Sequence, residues 1–260
     1  MRNFRTFGFA ALTAVLLLAA CGSSDKTASP TTSTSGELTG NITVLAASSL
    51  TESFTALGKQ FEAAHPGTKI ELSFGSSSDL ETSIEQGAPA DGFASADQKN
   101  MTKLVDAGNN ASAPQNFAKN KLEIAVAKGN PKAIATLNDL TKPGVKVVLC
   151  DPSAPCGKYA AQVLDNAEVD LTPVSLEPNV KATLSKVELG EADAAIVYVT
   201  DVAASGKVDG VPIPDDVNVI ATLPIVAVKG SKNAALAEAW VDFVVAHQSE
   251  LVSKYGFLPL

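Results

Sequence analysis

Hydroxyl side chains concentrate in three short stretches of this chain. These are Ser48-Ser49-Leu50-Thr51-Glu52, Gly75-Ser76-Ser77-Ser78-Asp79-Leu80-Glu81 and Ser95-Ala96-Asp97-Gln98. Each contains Ser-x-x-Glu or Ser-x-x-Gln, the spacing of a helix capping box, and so predicts a helix start. Hydroxyls are neutral donors, and a helix start presents unpaired N–H groups at the positive end of its dipole. Gathered in one place, such groups suit an anion with many acceptor oxygens and no proton to give. Capping alone would also account for the serines, and this pattern leaves both readings open. Asp91 and Asp97 resemble a carboxylate pair, but no His or Lys is organised beside them for acid–base work. They are read as caps of loops and helix ends, because a free carboxylate at the site would repel a dianion. Lys158 is read as solvated.

The elements that must position these residues follow from periodicity. Residues 41–47, 69–74, 91–95, 122–127, 145–150 and 194–199 read as strands, and 217–228 holds one or two more. Helices are predicted over 50–65, 79–86, 98–107, 157–166 and 180–189, with one long terminal helix over 234–254. This alternation predicts an α/β fold with mixed, mostly parallel sheets. In open α/β sheets ligands sit outside the carboxyl ends of strands, where the serine clusters fall. Pro155 leaves the Cys156 and Gly157 amides free at a helix start, and Gly157 permits close backbone approach. Asn179 is a predicted N-cap before Val180. Tyr198 ends an apolar strand, so its hydroxyl should reach a crevice.

The chain has 260 residues, enough for two lobes. Twenty Lys and Arg against 28 Asp and Glu give a net charge of −8. No basic cluster appears, which argues against nucleic-acid binding. His65 and His247 are the two histidines, too few and too scattered for a histidine metal site or a Ser-His-Asp triad. No protein-chelated cation and no cofactor are expected.

Residues 1–20 carry Arg2 and Arg5 ahead of an apolar run too short to span a membrane comfortably, the pattern of a signal peptide. Leu18-Ala19-Ala20-Cys21 looks like the lipobox of bacterial lipoproteins, which implies cleavage before Cys21 and lipidation of its sulfur. Residues 21–39 read as a Ser/Thr-rich tether, too poor in apolar groups to fold. Cys150 and Cys156 remain. An exported compartment permits a bridge between them, contributing roughly 2 kcal/mol by chain entropy. Two buried free thiols are the alternative.

Several motifs together carry a family resemblance. They are Val44-Leu45-Ala46-Ala47-Ser48-Ser49-Leu50, Ser73-Phe74-Gly75-Ser76-Ser77-Ser78, and above all Gly87-Ala88-Pro89-Ala90-Asp91-Gly92-Phe93-Ala94-Ser95-Ala96-Asp97. Later come Asp151-Pro152, Pro155-Cys156-Gly157-Lys158-Tyr159, Ala195-Ile196-Val197-Tyr198 and Lys254-Tyr255-Gly256-Phe257. From Asn41 onward the chain resembles the molybdate-binding proteins of ABC importers, two-lobed periplasmic-type binding proteins of the second topological class. The resemblance implies lobe I over residues 40–120 and 226–260, lobe II over 121–225, and a two-strand hinge. It implies a molybdate or tungstate oxyanion held by the Ser49, Ser77 and Tyr198 hydroxyls and the Cys156 and Val180 main-chain N–H groups, without cationic side chains. The implied protein is not an enzyme. It is a monomer, lipid-anchored to the outer face of the cell membrane, that delivers its metal oxyanion to an ABC permease.

Two other readings compete. A sulfate or phosphate receptor would share the architecture, with phosphate wanting an acceptor for its proton. A secreted serine hydrolase is the remote alternative. No G-x-S-x-G elbow occurs, and the one S-x-x-K run, Ser23 to Lys26, falls in the tether.

Overall fold

Apolar and β-branched residues from Ile42 to Ala47 form the buried strand β1 (Gly40–Ala47). A 3-10 turn, Ser48–Leu50, leads into α1 (Thr51–Ala64), which buries Phe54, Leu57 and Phe61 on one stripe. Then come β2 (Thr68–Gly75), α2 (Ser77–Glu85), β3 (Gly92–Ala94) and α3 (Gln98–Asp106). The computed structural model describes residues 37–260. The expected signal peptide, the lipidation site Cys21 and the tether up to residue 36 lie outside the described residues.

The long strand β4 (Gln115–Ala127) is followed by β5 (Val147–Cys150), α4 (Pro155–Asn166), β6 (Ser175–Glu177), α5 (Val180–Glu188) and β7 (Ala194–Tyr198). The short helix α6 (Val199–Ser205), β8 (Val208–Pro212), β9 (Ile220–Ala227), α7 (Ala234–Ala246) and α8 (Gln248–Tyr255) complete the described chain. Residues 37–260 make one compact unit.

The strands form a curled mixed sheet in the order β2-β1-β3-β9-β4-β7-β5-β6, with β8 also on β4. The pairs β1–β2, β1–β3, β5–β6 and β5–β7 are parallel. Among the described residues, each antiparallel strand pair includes β4 or β9. These two strands join the halves. Residues 115–121 of β4 pair with β9, whereas residues 122–127 pair with β7 and β8. At the change of partner the Asn218 side chain takes the place of a neighbouring strand. Its Oδ1 accepts the Leu122 N–H at 3.2 Å and its Nδ2 donates to the Leu122 carbonyl at 2.9 Å.

Trp240 of α7 packs edge-on against Phe54 and Phe61 at 5.7 Å between centroids, anchoring the terminal helices under β1 and β4. The predicted single helix over 234–254 is two helices broken at His247. The His247 ring lies 3.9 Å from that of Phe243, and its Nδ1 is 2.7 Å from the Phe243 carbonyl. That carbonyl is therefore shared, and the chain turns so that Leu251 and Phe257 still reach the core. Among the strands and α-helices, three lie outside the sequence expectation: β6, β8 and α6. Each has seven residues or fewer, too few for a period to register.

Candidate functional site

The three serine clusters fall at helix starts, as expected, but none forms a serine capping box. The 3-10 turn and α1 have no side-chain cap. Ser76 occupies the N-cap of α2, but its side chain bonds none of the helix amides and its hydroxyl pairs instead with that of Ser78 at 2.8 Å. The cap of α3 is Asp97, whose Oδ1 accepts the Asn100 N–H at 3.0 Å. Ser95 in turn accepts the Asp97 N–H. The Ser76, Ser78 and Ser95 hydroxyls are thus committed to one another or to Asp97, whereas the Ser49 hydroxyl caps nothing.

Ser49, Ser77, Cys156, Val180 and Tyr198 all line one cavity, together with Ala47, Ser48, Gly75, Ser76, Ala96, Ala154, Pro155 and Asn179. The space free of atoms there is about 200 Å³, its mouth included. Ser49 is the middle residue of the 3-10 turn after β1, and its buried Oγ has no hydrogen-bond partner among the described residues. Ser77 opens α2, and its Oγ accepts the Ala96 N–H at 3.0 Å. The serine proton therefore stays available to the cavity. Both sit in the half built on β2, β1, β3 and β9.

The other three residues come from the β7-β5-β6 half. Pro155 starts α4, so the Cys156 and Gly157 amides precede the first intrahelical bond, from the Lys158 N–H to the Ala154 carbonyl. Cys156 is disulfide-bonded to Cys150, with Cα atoms 5.8 Å apart. Gly157 serves this loop rather than the cavity: a Cβ there would overlap the carbonyl oxygens of Asp151 and Cys150. The close approach expected of it is to its own preceding strand end. Asn179 caps α5 by accepting the Ala182 N–H at 3.0 Å, which leaves the Val180 amide in the unpaired first turn. Tyr198 ends β7 fully buried, and its hydroxyl has no partner among the described residues. Burial pushes its pKa well above the ordinary tyrosine value, with the Tyr159, Asp201 and Asp97 charges adding to the effect, so the phenol stays a donor.

Among the described residues no charged side chain lines the cavity. Lys158 stays outside it, a third exposed, 3.9 Å from Asp97 Oδ2 and over the Tyr159 ring. Asp91 holds the chain beneath: its Oδ2 accepts the Thr43 N–H at 2.7 Å and its Oδ1 accepts from Ser231. Among the described residues no three His, Cys, Asp or Glu side chains converge on a metal position. Positive potential comes instead from the first turns of α2, α4 and α5 and from the 3-10 turn. Ser48, Ser76 and Asn179 also line the space. The first two lay in clusters already visible in the sequence. Nothing there pointed to the Ala96 amide as the group that orients Ser77.

Residues 42–258 match the family described as bacterial extracellular solute-binding protein. The chain is 42% identical to the molybdate-binding protein ModA of Mycobacterium tuberculosis over 242 residues, 92% of each chain. Among solved structures, the periplasmic molybdate-binding protein of Azotobacter vinelandii superposes with a TM-score of 0.74 at 20% identity, over 84% of this chain and 99% of that one. The sulfate-binding protein SubI of M. tuberculosis superposes nearly as well, at 0.72 and 22% identity, over 85% and 87%. The backbone fold is therefore common to receptors of different oxyanions.

Proposed function

Because this chain belongs to the bacterial extracellular solute-binding protein family, we propose that its cavity receives a tetrahedral oxyanion for an ABC importer. The oxyanion is molybdate, the ligand in the name of the 42% identical relative. Tungstate, the same shape and charge, is the second ligand. The observation that carries the reading is a cavity lined by hydroxyls and helix-start amides, with the Ser49 and Tyr198 hydroxyls buried and unpartnered.

The binding chemistry follows from that lining. Burying a dianion costs several kcal/mol unless its oxygens are hydrogen-bonded. Ser49 and Ser77 supply hydroxyl donors from one side, and the Cys156 N–H, Val180 N–H and Tyr198 hydroxyl supply donors from the other. Every group is a donor and none is a carboxylate acceptor, which favours a fully deprotonated anion over hydrogen phosphate. Such a site binds without transforming its ligand.

Lobe I comprises residues 40–120 with β9 and the chain after it, and lobe II the residues between, a boundary earlier than the residue 226 that the resemblance implies, with crossings in β4 and ahead of β9. The pairing of β9 from Ile220 onward with β3 and the first half of β4 supports a return crossing a few residues earlier, near Asn218. Cys21 lipidation would tether a monomer to the outer face of the membrane, near its permease.

Calorimetry of the purified chain against molybdate, tungstate, sulfate and phosphate tests the reading. The first two should bind far more tightly than the others. Preferential binding of phosphate, or of no oxyanion, would refute it.

A further inference from the structure

Three of the cavity positions are each followed closely by a charged residue: Ser49 by Glu52, Val180 by Lys181, and Tyr198 by Asp201. Behind the cavity these three charges meet. Lys181 Nζ lies 2.8 Å from Glu52 Oε2 and 3.2 Å from Asp201 Oδ1. Asp201 is fully buried, and its Oδ2 accepts the Tyr198 N–H at 3.3 Å. Glu52 stands on α1, in the half that carries Ser49. Lys181 and Asp201 stand on α5 and α6, in the half that carries Val180 and Tyr198.

We propose that Glu52, Lys181 and Asp201 form a clamp across the two lobes that holds the cavity's donors in their closed arrangement and slows release of the oxyanion. The proposal rests on the two-lobe oxyanion reading above. None of the three lines the cavity, so they are positioning residues. Their roles differ. The Lys181–Asp201 pair lies within one lobe and persists whether the lobes are open or closed. Removing either member would unpair a charge within one lobe and lower stability whether or not the lobes close, so neither change alone reports on the clamp. The Lys181–Glu52 pair spans the lobes and exists only when they are shut. Glu52 is also the most exposed of the three, so its replacement leaves the buried pair intact.

Glu52 therefore provides the test. In stopped-flow measurements on the purified chain with molybdate, Glu52→Gln should speed release roughly two- to fivefold, the range of a partly exposed ion pair. Glu52→Lys, which sets like charges together, should speed it more. The melting temperature of the ligand-free chain should hardly change, since a partly exposed ion pair adds little to stability. In a Lys181→Gln background, Glu52→Gln should have no further effect. If both Glu52 variants release molybdate at the parent rate, or only lower the ligand-free melting temperature, the clamp is wrong. A parent chain that binds no molybdate would instead refute the functional reading. Small-angle scattering of the ligand-free chain then decides the clamp: Glu52→Lys must increase the radius of gyration, and an unchanged radius overturns it.

Discussion

The Ser77 hydroxyl oxygen accepts the Ala96 main-chain N–H at 3.0 Å, across nineteen residues of chain. An oxygen already holding one proton from a donor turns its own proton elsewhere, and for Ser77 the open direction is the cavity. Ser77→Ala should therefore lose two things. Molybdate affinity should fall about tenfold to over a hundredfold, the value of one hydrogen bond to a charged acceptor. The ligand-free chain should also lose stability, by about 1–3 kcal/mol, because the Ala96 amide loses its acceptor. Titration calorimetry and urea unfolding read the two effects separately.

Ser49 and Tyr198 should behave differently, because their hydroxyls are buried with no protein partner. Ser49→Ala and Tyr198→Phe should weaken molybdate binding as much as Ser77→Ala does. Removing an unsatisfied buried hydroxyl should leave ligand-free stability unchanged or slightly raised. Lys158→Ala, which alters no lining residue, should change affinity much less. The decisive result is the pattern: Lys158→Ala abolishing binding while Tyr198→Phe is silent would replace neutral donors with a charge-paired site.

How much of this was legible beforehand depended on range. The strands over 41–47 and 194–199, the Asn179 cap and the helix after Pro155 are local patterns, and they stand where the sequence suggested. The five positions that the resemblance implies come from contiguous motifs, and they line one cavity. What escaped depends on distant partners. The three serine capping boxes are complete in spacing, yet Asp97 caps α3 and the Ser78 hydroxyl of the second cluster pairs with Ser76 instead. The terminal helix carried an unbroken apolar stripe, and only the His247 ring beside Phe243 divides it. The Glu52–Lys181–Asp201 cluster joins residues up to 149 positions apart, which no periodicity encodes.

The Cys150–Cys156 bridge closes the loop that carries the Cys156 amide to the cavity. Cys150 is also met by the Thr183 hydroxyl, 3.2 Å from its sulfur, which ties the loop to α5. A loop this short adds only about 2 kcal/mol to stability by chain entropy. Its larger effect is on where the amide points. Reduction, or the paired change Cys150→Ser with Cys156→Ser, should lower molybdate affinity by about tenfold or more while the domain stays folded. Alkylation without reductant should find neither thiol reactive in the folded parent. Two reactive thiols would disprove the bridge.

Asp201 predicts a pH dependence whose sign is unusual for a carboxylate in an ion pair. Burial pushes its pKa up from 3.8 to about 6, against the Lys181 charge and the Tyr198 N–H, which pull it down; Glu52 adds a smaller upward push. The folded chain thus holds this proton more tightly than the unfolded chain does. Its contribution to stability is largest below about pH 4. It declines as pH rises from there through 6, by up to about 3 kcal/mol, and is level above. Lys181 does not titrate in this window. Its burial lowers its pKa, but Asp201 and Glu52 outweigh that and leave it above the ordinary lysine value. Carboxylates held below the usual range, such as Asp209 beside Lys128, work in the opposite direction in both parent and variant and cancel in a difference. Urea unfolding of the parent and of Asp201→Asn from pH 4 to 8 isolates the effect. The parent-minus-variant stability should fall between pH 4 and 6 and stay flat to pH 8. A difference that rises over that interval would mean that Lys181, and not burial, governs the Asp201 proton.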